Sequence, residues 1–157
     1  MQAVILAAGK GTRMGTLTET LPKPLLEVNG KTLLEHKFDT LSDDIDEIVL
    51  VVGYMGGMIR KQFGNSYKGK KISYVEQGPM HGTAGALWSA REILRDTFIV
   101  MMGDDLYGKK DVERACKSGT WMMFAKNAKH PHAGGKILVR NGKIEEIVES
   151  EKHETPG

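Results

Sequence analysis

Chemistry is indicated first by a glycine-rich segment near the start of the chain. Residues 9–15 contain three glycines, with Lys10 and Arg13 between them. Glycine allows the backbone to come close to a ligand and to adopt positive φ values, and successive backbone N–H groups in such a turn form a concave anion site. Lysine and arginine side chains add positive charge for phosphate oxygens. The segment therefore predicts a polyphosphate site over residues 8–15.

The spacing of this segment matches neither of the two common phosphate-binding motifs. The pattern G-x-x-x-x-G-K-[ST] is absent, and G-x-G-x-x-G fails because Met14 stands where the third glycine belongs. The sequence therefore argues against a P-loop ATPase and against a dinucleotide-binding Rossmann enzyme. A tight, solvent-exposed turn with incidental charges is the alternative interpretation of residues 9–15 taken alone.

A lysine between two prolines follows the glycine-rich segment. Because Pro22 and Pro24 have fixed φ angles, we expect a stiff and extended segment that presents Lys23 to a ligand. A solvated lysine in a proline-rich turn is the alternative interpretation.

Four apolar runs are predicted to be the strands that position these groups, and helical patterns separate them. The strands are predicted over residues 3–6, 46–52, 72–76 and 97–102, and the helices over residues 32–41, 58–63, 82–94 and 109–117. Thr32 and Glu35 have the spacing of a capping box at the start of the first helix. This alternation predicts an α/β protein with a mostly parallel sheet and helices on both faces.

An acidic turn follows the fourth predicted strand. In parallel sheets ligands bind outside the carboxyl ends of the strands, so Gly103-Asp104-Asp105 and the glycine-rich segment should lie at one edge. Mg²⁺ prefers oxygen ligands and is usually held by one or two carboxylates together with substrate phosphates. Asp104 fits that role, and a pair of turn-forming aspartates is the alternative.

A glutamine and a glycine-rich helix start lie between the third strand and the third helix. The amide of Gln77 can both donate to and accept from one edge of a nucleobase. Gly82 opens the predicted helix, whose N-terminus directs positive partial charge at a ligand. A surface loop followed by a small-residue helix on the sheet is the alternative, and it applies to Thr83 in particular.

The last third of the chain has a different pattern. Residues 121–126 are predicted to be a strand, and Lys136–Arg140 and Lys143–Val148 flank Asn141-Gly142, a strong signal for a two-residue hairpin turn. We expect this hairpin either on the sheet or as a lip over the pocket. The three histidines of the loops, His81, His130 and His132, are interpreted as incidental or solvated.

Composition indicates a soluble globular protein. The chain has 157 residues, 40% apolar and 27% charged, and a net charge of +2 without a long basic block, which argues against nucleic acid as the main partner. Cys116 is the only cysteine, which excludes an intramolecular disulfide.

The sequence has no run of about 18 apolar residues and no secretory signal, so we expect a cytoplasmic protein without a membrane partner. A homo-oligomer is left open.

The opening stretches Leu6–Met14 and Leu21–His36 resemble the signature of the sugar-nucleotide pyrophosphorylases, among them glucose-1-phosphate thymidylyl- and uridylyltransferases. These enzymes join a sugar 1-phosphate to a nucleoside triphosphate and release pyrophosphate. The resemblance implies a three-layer, Rossmann-like and GT-A-like fold, Mg²⁺ as cofactor, and UTP or dTTP with a sugar 1-phosphate as substrates.

The resemblance also implies roles for individual residues. Arg13 and Lys23 become the catalytic residues, with Arg13 on the leaving β- and γ-phosphates and Lys23 on the α-phosphate and the incoming sugar phosphate. Asp104 becomes the metal ligand. The implied nucleotide-binding residues are Leu6, Ala8, Gly9, Gly11, Thr12, Gln77, Gly82 and Thr83, and the implied sugar-phosphate contacts are Gly135 and Lys152.

Two departures from the family leave alternatives open. His153 stands where the family has proline after a Glu-Lys pair, and the family's catalytic domain is usually much longer, with a second acidic metal ligand in its later part. We therefore interpret residues 1–157 as the amino-terminal part of one catalytic domain, and we expect this part by itself to bind a nucleotide weakly and to catalyse poorly or not at all. One alternative is a nucleotide- or sugar-phosphate-binding module without turnover. The other is a cytidylyl- or guanylyltransferase, because Gly82–Leu87 resembles guanylyl-transferring relatives, whereas Gln77 suits uracil or thymine.

Overall fold

The computed structural model describes residues 1–9, 11, 18–79, 82–126 and 136–148. The chain forms two compact units, Met1–Thr120 and Trp121–Gly157. The strands of the first unit are β1 (Gln2–Leu6), β2 (Glu27–Val28), β3 (Lys31–Thr32), β4 (Glu47–Val52), β5 (Ser66–Tyr67), β6 (Lys70–Glu76) and β7 (Phe98–Met102). Its α-helices are α1 (Leu33–Phe38), α2 (Gly56–Phe63), α3 (Gly82–Ser89) and α4 (Lys109–Cys116). No helix in these described ranges is long and apolar enough to cross a bilayer.

A five-stranded sheet with the order β5-β6-β4-β1-β7 forms the centre of the first unit. β1 pairs in parallel with both β4 and β7, and β4 pairs in parallel with β6. Only the short edge strand β5 is antiparallel to its neighbour β6. The structure thus confirms the four predicted strands and their mostly parallel arrangement.

The order of the strands creates a crevice between β1 and β7. From β1 the chain moves to β4 and β6 on one side, and it then returns to the other side of β1 to form β7. Where the direction of winding reverses, the loops at the carboxyl ends of the two adjacent strands diverge and leave room for a ligand. The loop after β1 and the turn after β7 border this point.

Helices cover both faces of the sheet, as the sequence predicts. Side chains of one face, including Ile5, pack with Phe38 of α1, Ile59 of α2 and Val112 of α4. The opposite face packs with Ala86 of α3. Because successive strand residues point to opposite faces, both faces of the central strands are apolar, which is why these strands appear in the sequence as continuous apolar runs.

Two predicted helices are shorter in the structure. The capping box of α1 is present, since the N–H of Glu35 donates to the Thr32 hydroxyl and the Glu35 carboxylate accepts from the Thr32 N–H. The helix ends at Phe38 rather than at residue 41, because the N–H and hydroxyl of Thr40 both donate to the carbonyl of Lys37 in a tighter turn.

The third helix was predicted to reach residue 94, but α3 ends at Ser89 and a 3₁₀ turn follows at Arg91–Ile93. The Ser89 hydroxyl donates to the carbonyl of Gly85, four residues earlier, a bond that competes with regular helix geometry. The opposite error occurs at α2, which begins at Gly56, two residues before its predicted start.

Three hairpins have glycine in two-residue turns. Asn29-Gly30 joins β2 to β3, Lys68-Gly69 joins β5 to β6, and Asn141-Gly142 joins β8 (Lys136–Arg140) to β9 (Lys143–Val148). Both residues of each turn have positive φ, as the tight hairpin turns require. The structure confirms the predicted hairpin at Asn141-Gly142, and β8 and β9 form a two-stranded sheet. The same Asn-Gly signal is present at Asn29-Gly30, although no hairpin was predicted there.

The predicted strand over residues 121–126 is wrong. These residues have no regular secondary structure, and no described strand pairs with them. Their apolar side chains are exposed, Trp121 completely. Strand propensity alone does not form a strand, because the backbone needs the hydrogen-bonding edge of a neighbour.

A network of charged and polar side chains connects β1, β4 and β6 near the amino ends of these strands, at the end of the sheet opposite the crevice. Glu47, the first residue of β4, accepts hydrogen bonds from Gln2 of β1 at 2.9 Å and from Ser73 of β6 at 2.6 Å. It also pairs with Lys71 at 2.9 Å. Burial alone would raise the pKa of Glu47, but the hydrogen bonds from Ser73, Lys71 and Gln2 outweigh it and lower the pKa to about 2.

We expect the Glu47→Gln variant to be less stable than the wild type at neutral pH. Because the folded-state pKa lies below the ordinary value of 4.5, ionised Glu47 stabilises the fold above pH 4.5, and this contribution is lost as the pH falls through about 2. Urea denaturation at a series of pH values should therefore show the two proteins converging in acid. Glu92→Gln, at an exposed pair with Arg91, is the control. A wild-type advantage that persists in acid would contradict this role.

Candidate functional site

A cleft of about 400 Å³ opens at the carboxyl ends of β1 and β7. It contains every described residue to which the sequence assigned a role in catalysis, nucleotide binding or metal binding. These residues are Leu6, Ala8, Gly9, Gly11, Lys23, Gln77, Gly82, Thr83 and Asp104. The remaining assigned residues, Thr12, Arg13, Gly135 and Lys152, lie outside the described part of the chain, as do His81, His130 and His132.

The two loops that form the cleft meet at Gly103. The N–H of Gly103 donates to the carbonyl of Leu6 at 2.8 Å, which extends the pairing of β1 with β7 by one residue. A Cβ atom at Gly103 would lie 2.4 Å from that carbonyl oxygen and 3.0 Å from the Cα of Ala7. Only glycine permits this approach, so residue type and backbone position are coupled here.

Gly11 brings the glycine-rich segment against Lys23. Gly11 has a φ of +66°, and a Cβ there would lie 3.1 Å from the Thr18 side chain and 3.2 Å from the Cβ of Lys23. The Thr18 hydroxyl donates to the carbonyl of Gly11 at 3.1 Å. The contact places the stem of Lys23 directly beside the backbone of the predicted phosphate site.

The prediction of an extended segment around Lys23 is wrong, because Lys23–Leu25 form a 3₁₀ turn. The N–H of Leu25 donates to the carbonyl of Pro22, and the N–H of Leu26 donates to that of Lys23. The fixed φ of proline suits the first turn of a helix as well as an extended chain, so the proline pair alone could not decide between them. Lys23 nevertheless lines the cleft.

Lys23 and Asp104 form an ion pair at the cleft, with 2.8 Å between the ammonium nitrogen and a carboxylate oxygen. The hydrogen bond from Lys23 is the main cause of a lowered pKa at Asp104, and the positive charge of Lys37 contributes further. Both side chains are partly exposed, so the pair adds little to stability. It provides one donor cation and one acceptor anion beside a backbone rich in glycine.

The Asp104 carboxylate could serve as a protein ligand for a magnesium ion that is bound to a phosphate substrate. Among the described residues, no cluster of three or more acidic, histidine or cysteine side chains could hold a metal alone. Magnesium is usually held by one or two carboxylates, with substrate phosphates and water as its other ligands. The carboxylate of Asp104 is half exposed at the cleft and matches this mode.

The loop that carries Gln77 is fixed by contacts on both sides. The N–H of Gln77 donates to the carbonyl of Val52 at 2.8 Å, and the N–H of Gly78 donates to the hydroxyl of Ser89 at 2.9 Å. Ser89 therefore connects this loop to the helix that opens with Gly82. Sequence reasoning missed Ser89, because a serine in a helix of small residues gives no signal of a distant partner.

A buried lysine beneath the acidic turn was also missed. Lys37 of α1 is only 2% exposed, and its ammonium donates to the backbone carbonyl of Asp105. The sequence did contain a signal for this burial. Lys37 lies three residues after Leu34 and four before Leu41, the spacing of the apolar face of the predicted helix. A lysine at such a position must find a partner inside the protein.

The chain belongs to a family of nucleotidyltransferases. Residues 2–155 match the sequence profile of the family described as Nucleotidyl transferase. The match covers nearly the whole chain, and it agrees with the resemblance of the opening stretches.

Two named relatives match most of this chain. The chain is 43% identical over 108 residues to the UTP–glucose-1-phosphate uridylyltransferase AglF of Haloferax volcanii, a match that covers 68% of this chain and 44% of the relative. It is 35% identical over 156 residues to the bifunctional protein GlmU of Methanocaldococcus jannaschii, which covers 99% of this chain and 37% of the relative. The chain thus spans less than half the length of these relatives.

A solved structure supports the fold. A Bacillus anthracis protein assigned as a glucose-1-phosphate thymidylyltransferase, crystallised with sucrose, superposes with a TM-score of 0.79 at 25% identity. The superposition covers 98% of this chain and 65% of that protein. The mostly parallel, Rossmann-like architecture predicted from the sequence is therefore confirmed.

We expect Gly103→Ala to lower the free energy of unfolding by about 3 kcal/mol, because the added methyl group would overlap the backbone at Leu6 and Ala7. Gly57→Ala is the matched control, since a Cβ at this exposed position in α2 meets no atom within 4 Å. Replacing glycine in a helix should leave stability unchanged or raise it by up to about 1 kcal/mol. Urea denaturation measures both, and equal effects would contradict the close approach at Gly103.

Proposed function

We propose that the protein transfers a nucleotidyl group from UTP or dTTP to a sugar 1-phosphate and releases pyrophosphate, with Mg²⁺ as cofactor. The observation that carries the proposal is the single cleft, which brings Gly9 and Gly11 together with Lys23, Asp104 and Gln77. The family resemblance implies roles for all five toward one set of substrates. The activity of the relative AglF, a UTP–glucose-1-phosphate uridylyltransferase, supports the same reaction class.

The reaction follows from this arrangement of charges. An oxygen of the sugar 1-phosphate attacks the α-phosphorus of the triphosphate in line, the bond from the α-phosphorus to the oxygen that bridges to the β-phosphate breaks, and pyrophosphate leaves with that oxygen. No covalent bond to the protein is needed, so the protein contributes positioning and stabilisation of developing charge. Magnesium, when bound, would neutralise negative charge on the phosphate oxygens.

The polar groups of the cleft have separate tasks in this scheme. The backbone N–H groups of Gly9 and Gly11 would donate to phosphate oxygens, and Asp104 would hold the cation. The ammonium of Lys23 would exchange its present partner, the Asp104 carboxylate, for oxygens of the α-phosphate and the incoming phosphate. Arg13, outside the described residues, is proposed for the leaving phosphates.

The choice of base rests on Gln77. Gln77 lines the cleft, and the backbone of the loop that carries it is bonded to Val52 and Ser89. An amide that donates and accepts side by side is complementary to the edge of uracil or thymine, which also presents an N–H beside a carbonyl. A base with a mismatched edge would leave polar groups of this contact unpaired, which is the physical basis of the proposed discrimination.

We expect Lys23→Ala to reduce turnover by about 100-fold or more, because an electrostatic contact to the reacting phosphate is removed. The assay is pyrophosphate release from UTP and dTTP with a panel of sugar 1-phosphates. The fold should persist, since the lost ion pair with Asp104 is partly exposed and contributes at most about 1 kcal/mol.

Lys31→Ala is the matched control for this assay. Lys31 is half exposed and pairs with Asp39, and it does not line the cleft. Its removal should leave turnover unchanged. Near-normal turnover in Lys23→Ala would overturn the assignment of Lys23.

Calorimetric titration with UTP, dTTP, CTP and GTP separates the proposal from its alternatives. Tighter binding of UTP or dTTP supports the assignment of Gln77, whereas preference for GTP or CTP indicates a guanylyl- or cytidylyltransferase. Binding without pyrophosphate release from any acceptor indicates a nucleotide-binding module.

A further inference from the structure

Lys37 is the largest side chain among the fully buried ones in the described ranges of the chain. It occupies the face of α1 that packs on the sheet, beside the core residues Leu34 and Phe38. Burying an ammonium group costs several kcal/mol unless strong partners compensate, as a rough expectation from ion solvation. A methionine or leucine would fill a similar volume without this cost, so core packing alone does not account for a lysine here.

Among the described residues, the partners of Lys37 lie in the segment 103–107, which follows β7 and contains the acidic turn. Its ammonium donates to the backbone carbonyl of Asp105. It also lies over the ring of Tyr107, 5.3 Å from the ring centroid, where a cation is attracted by the π electrons. The Tyr107 hydroxyl in turn accepts a hydrogen bond from the N–H of Met102 at 2.8 Å.

These contacts hold the acidic turn at both of its ends. At its start, the N–H of Gly103 is bonded to the carbonyl of Leu6. At its far end, the Lys37 ammonium binds the Asp105 carbonyl and lies over the Tyr107 ring. The Tyr107 hydroxyl accepts from the N–H of Met102 and so connects the segment after the turn to β7. Asp104 lies between these fixed points, and the negative charges of Asp105 and Asp104 attract the buried ammonium.

We propose that Lys37 is a positioning residue for the cleft, which holds the Asp105 carbonyl and thereby keeps the neighbouring Asp104 carboxylate at the cleft. Its consequence for catalysis rests on the proposed function, but its structural effect does not. The substitution Lys37→Met removes the ammonium and retains most of the volume. Without the ammonium, the turn loses one of its attachments and opens more often.

The test is amide hydrogen exchange of the ligand-free protein. In Lys37→Met, the amides of Met102, Gly103 and Asp104 should exchange about tenfold faster or more relative to those of β4, because the turn opens locally. The urea midpoint should be unchanged or higher, because the desolvation cost is removed. Phe38→Leu is the control from the same helix, since the Phe38 ring packs on Phe63 and Tyr67. It should lower the midpoint without selective exchange at the turn.

Unchanged relative exchange at residues 102–104 in Lys37→Met would overturn the proposal. A lowered midpoint with uniformly faster exchange would also overturn it, because that result describes a core residue only. Should Lys37→Met fail to fold, Lys37→Leu replaces it, since leucine suits the buried helix face and also removes the donor to the Asp105 carbonyl. Exchange at the turn faster than in the wild type then supports the proposal, and wild-type exchange overturns it.

A kinetic measurement keeps this proposal distinct from the proposed function. If the wild type releases pyrophosphate, Lys37→Met should lower kcat about tenfold, with a smaller change in KM for the nucleotide, because the displaced Asp104 acts mainly on developing charge. A wild type without turnover would bear on the proposed function alone and leave the exchange result standing. An active wild type whose kcat is unchanged in Lys37→Met would overturn the positioning role.

Discussion

The N–H of Gly103 and the carbonyl of Leu6 are hydrogen-bonded at the point where β1 and β7 leave the sheet. No side chain could be accommodated at Gly103, because its Cβ would overlap the backbone of the neighbouring strand. This contact forces the loop after β1 and the turn after β7 to start side by side. The position of the cleft, of the glycines that line it and of the Lys23–Asp104 pair therefore depends on this backbone contact.

The charges around the acidic turn form two layers, an upper one that lines the cleft and a lower one that is buried in the core. The upper layer is the pair of Lys23 with Asp104, which is partly exposed and therefore available for exchange with a substrate. The lower layer is Lys37, which is buried and bonded to the backbone of Asp105. In the proposed reaction, the upper pair separates when phosphates and magnesium arrive, while the lower lysine keeps the carboxylate in place. In this scheme Lys23 can exchange Asp104 for a substrate, while buried Lys37 keeps the turn in place.

The sequence predicted the sheet and the convergence of the cleft residues because both follow from local patterns. Apolar runs identify strands that are buried on both faces, and a parallel sheet brings the ends of those strands to one edge. The ends of α1 and α3 were predicted too far along the chain, because both helices stop where backbone bonds of a tighter turn form beside side-chain bonds of Thr40 and Ser89. Such bonds depend on geometry that the periodicity of apolar residues does not encode.

Long-range partners could not be predicted for the same reason. Lys37 stands out in the sequence only as a charge on an apolar helix face, and its partner Asp105 is 68 residues away. The strand predicted over residues 121–126 failed because a strand needs a partner, which composition does not supply.

The most direct test of the proposed phosphate site is a crystal structure of the protein with Mg²⁺ and a non-hydrolysable UTP analogue. The triphosphate should lie against the backbone of Gly9 and Gly11, with the cation on the Asp104 carboxylate and the Lys23 ammonium on a phosphate oxygen. A nucleotide bound outside this cleft, or one bound while the Lys23–Asp104 pair stays intact and the cation lies elsewhere, would contradict the proposed site.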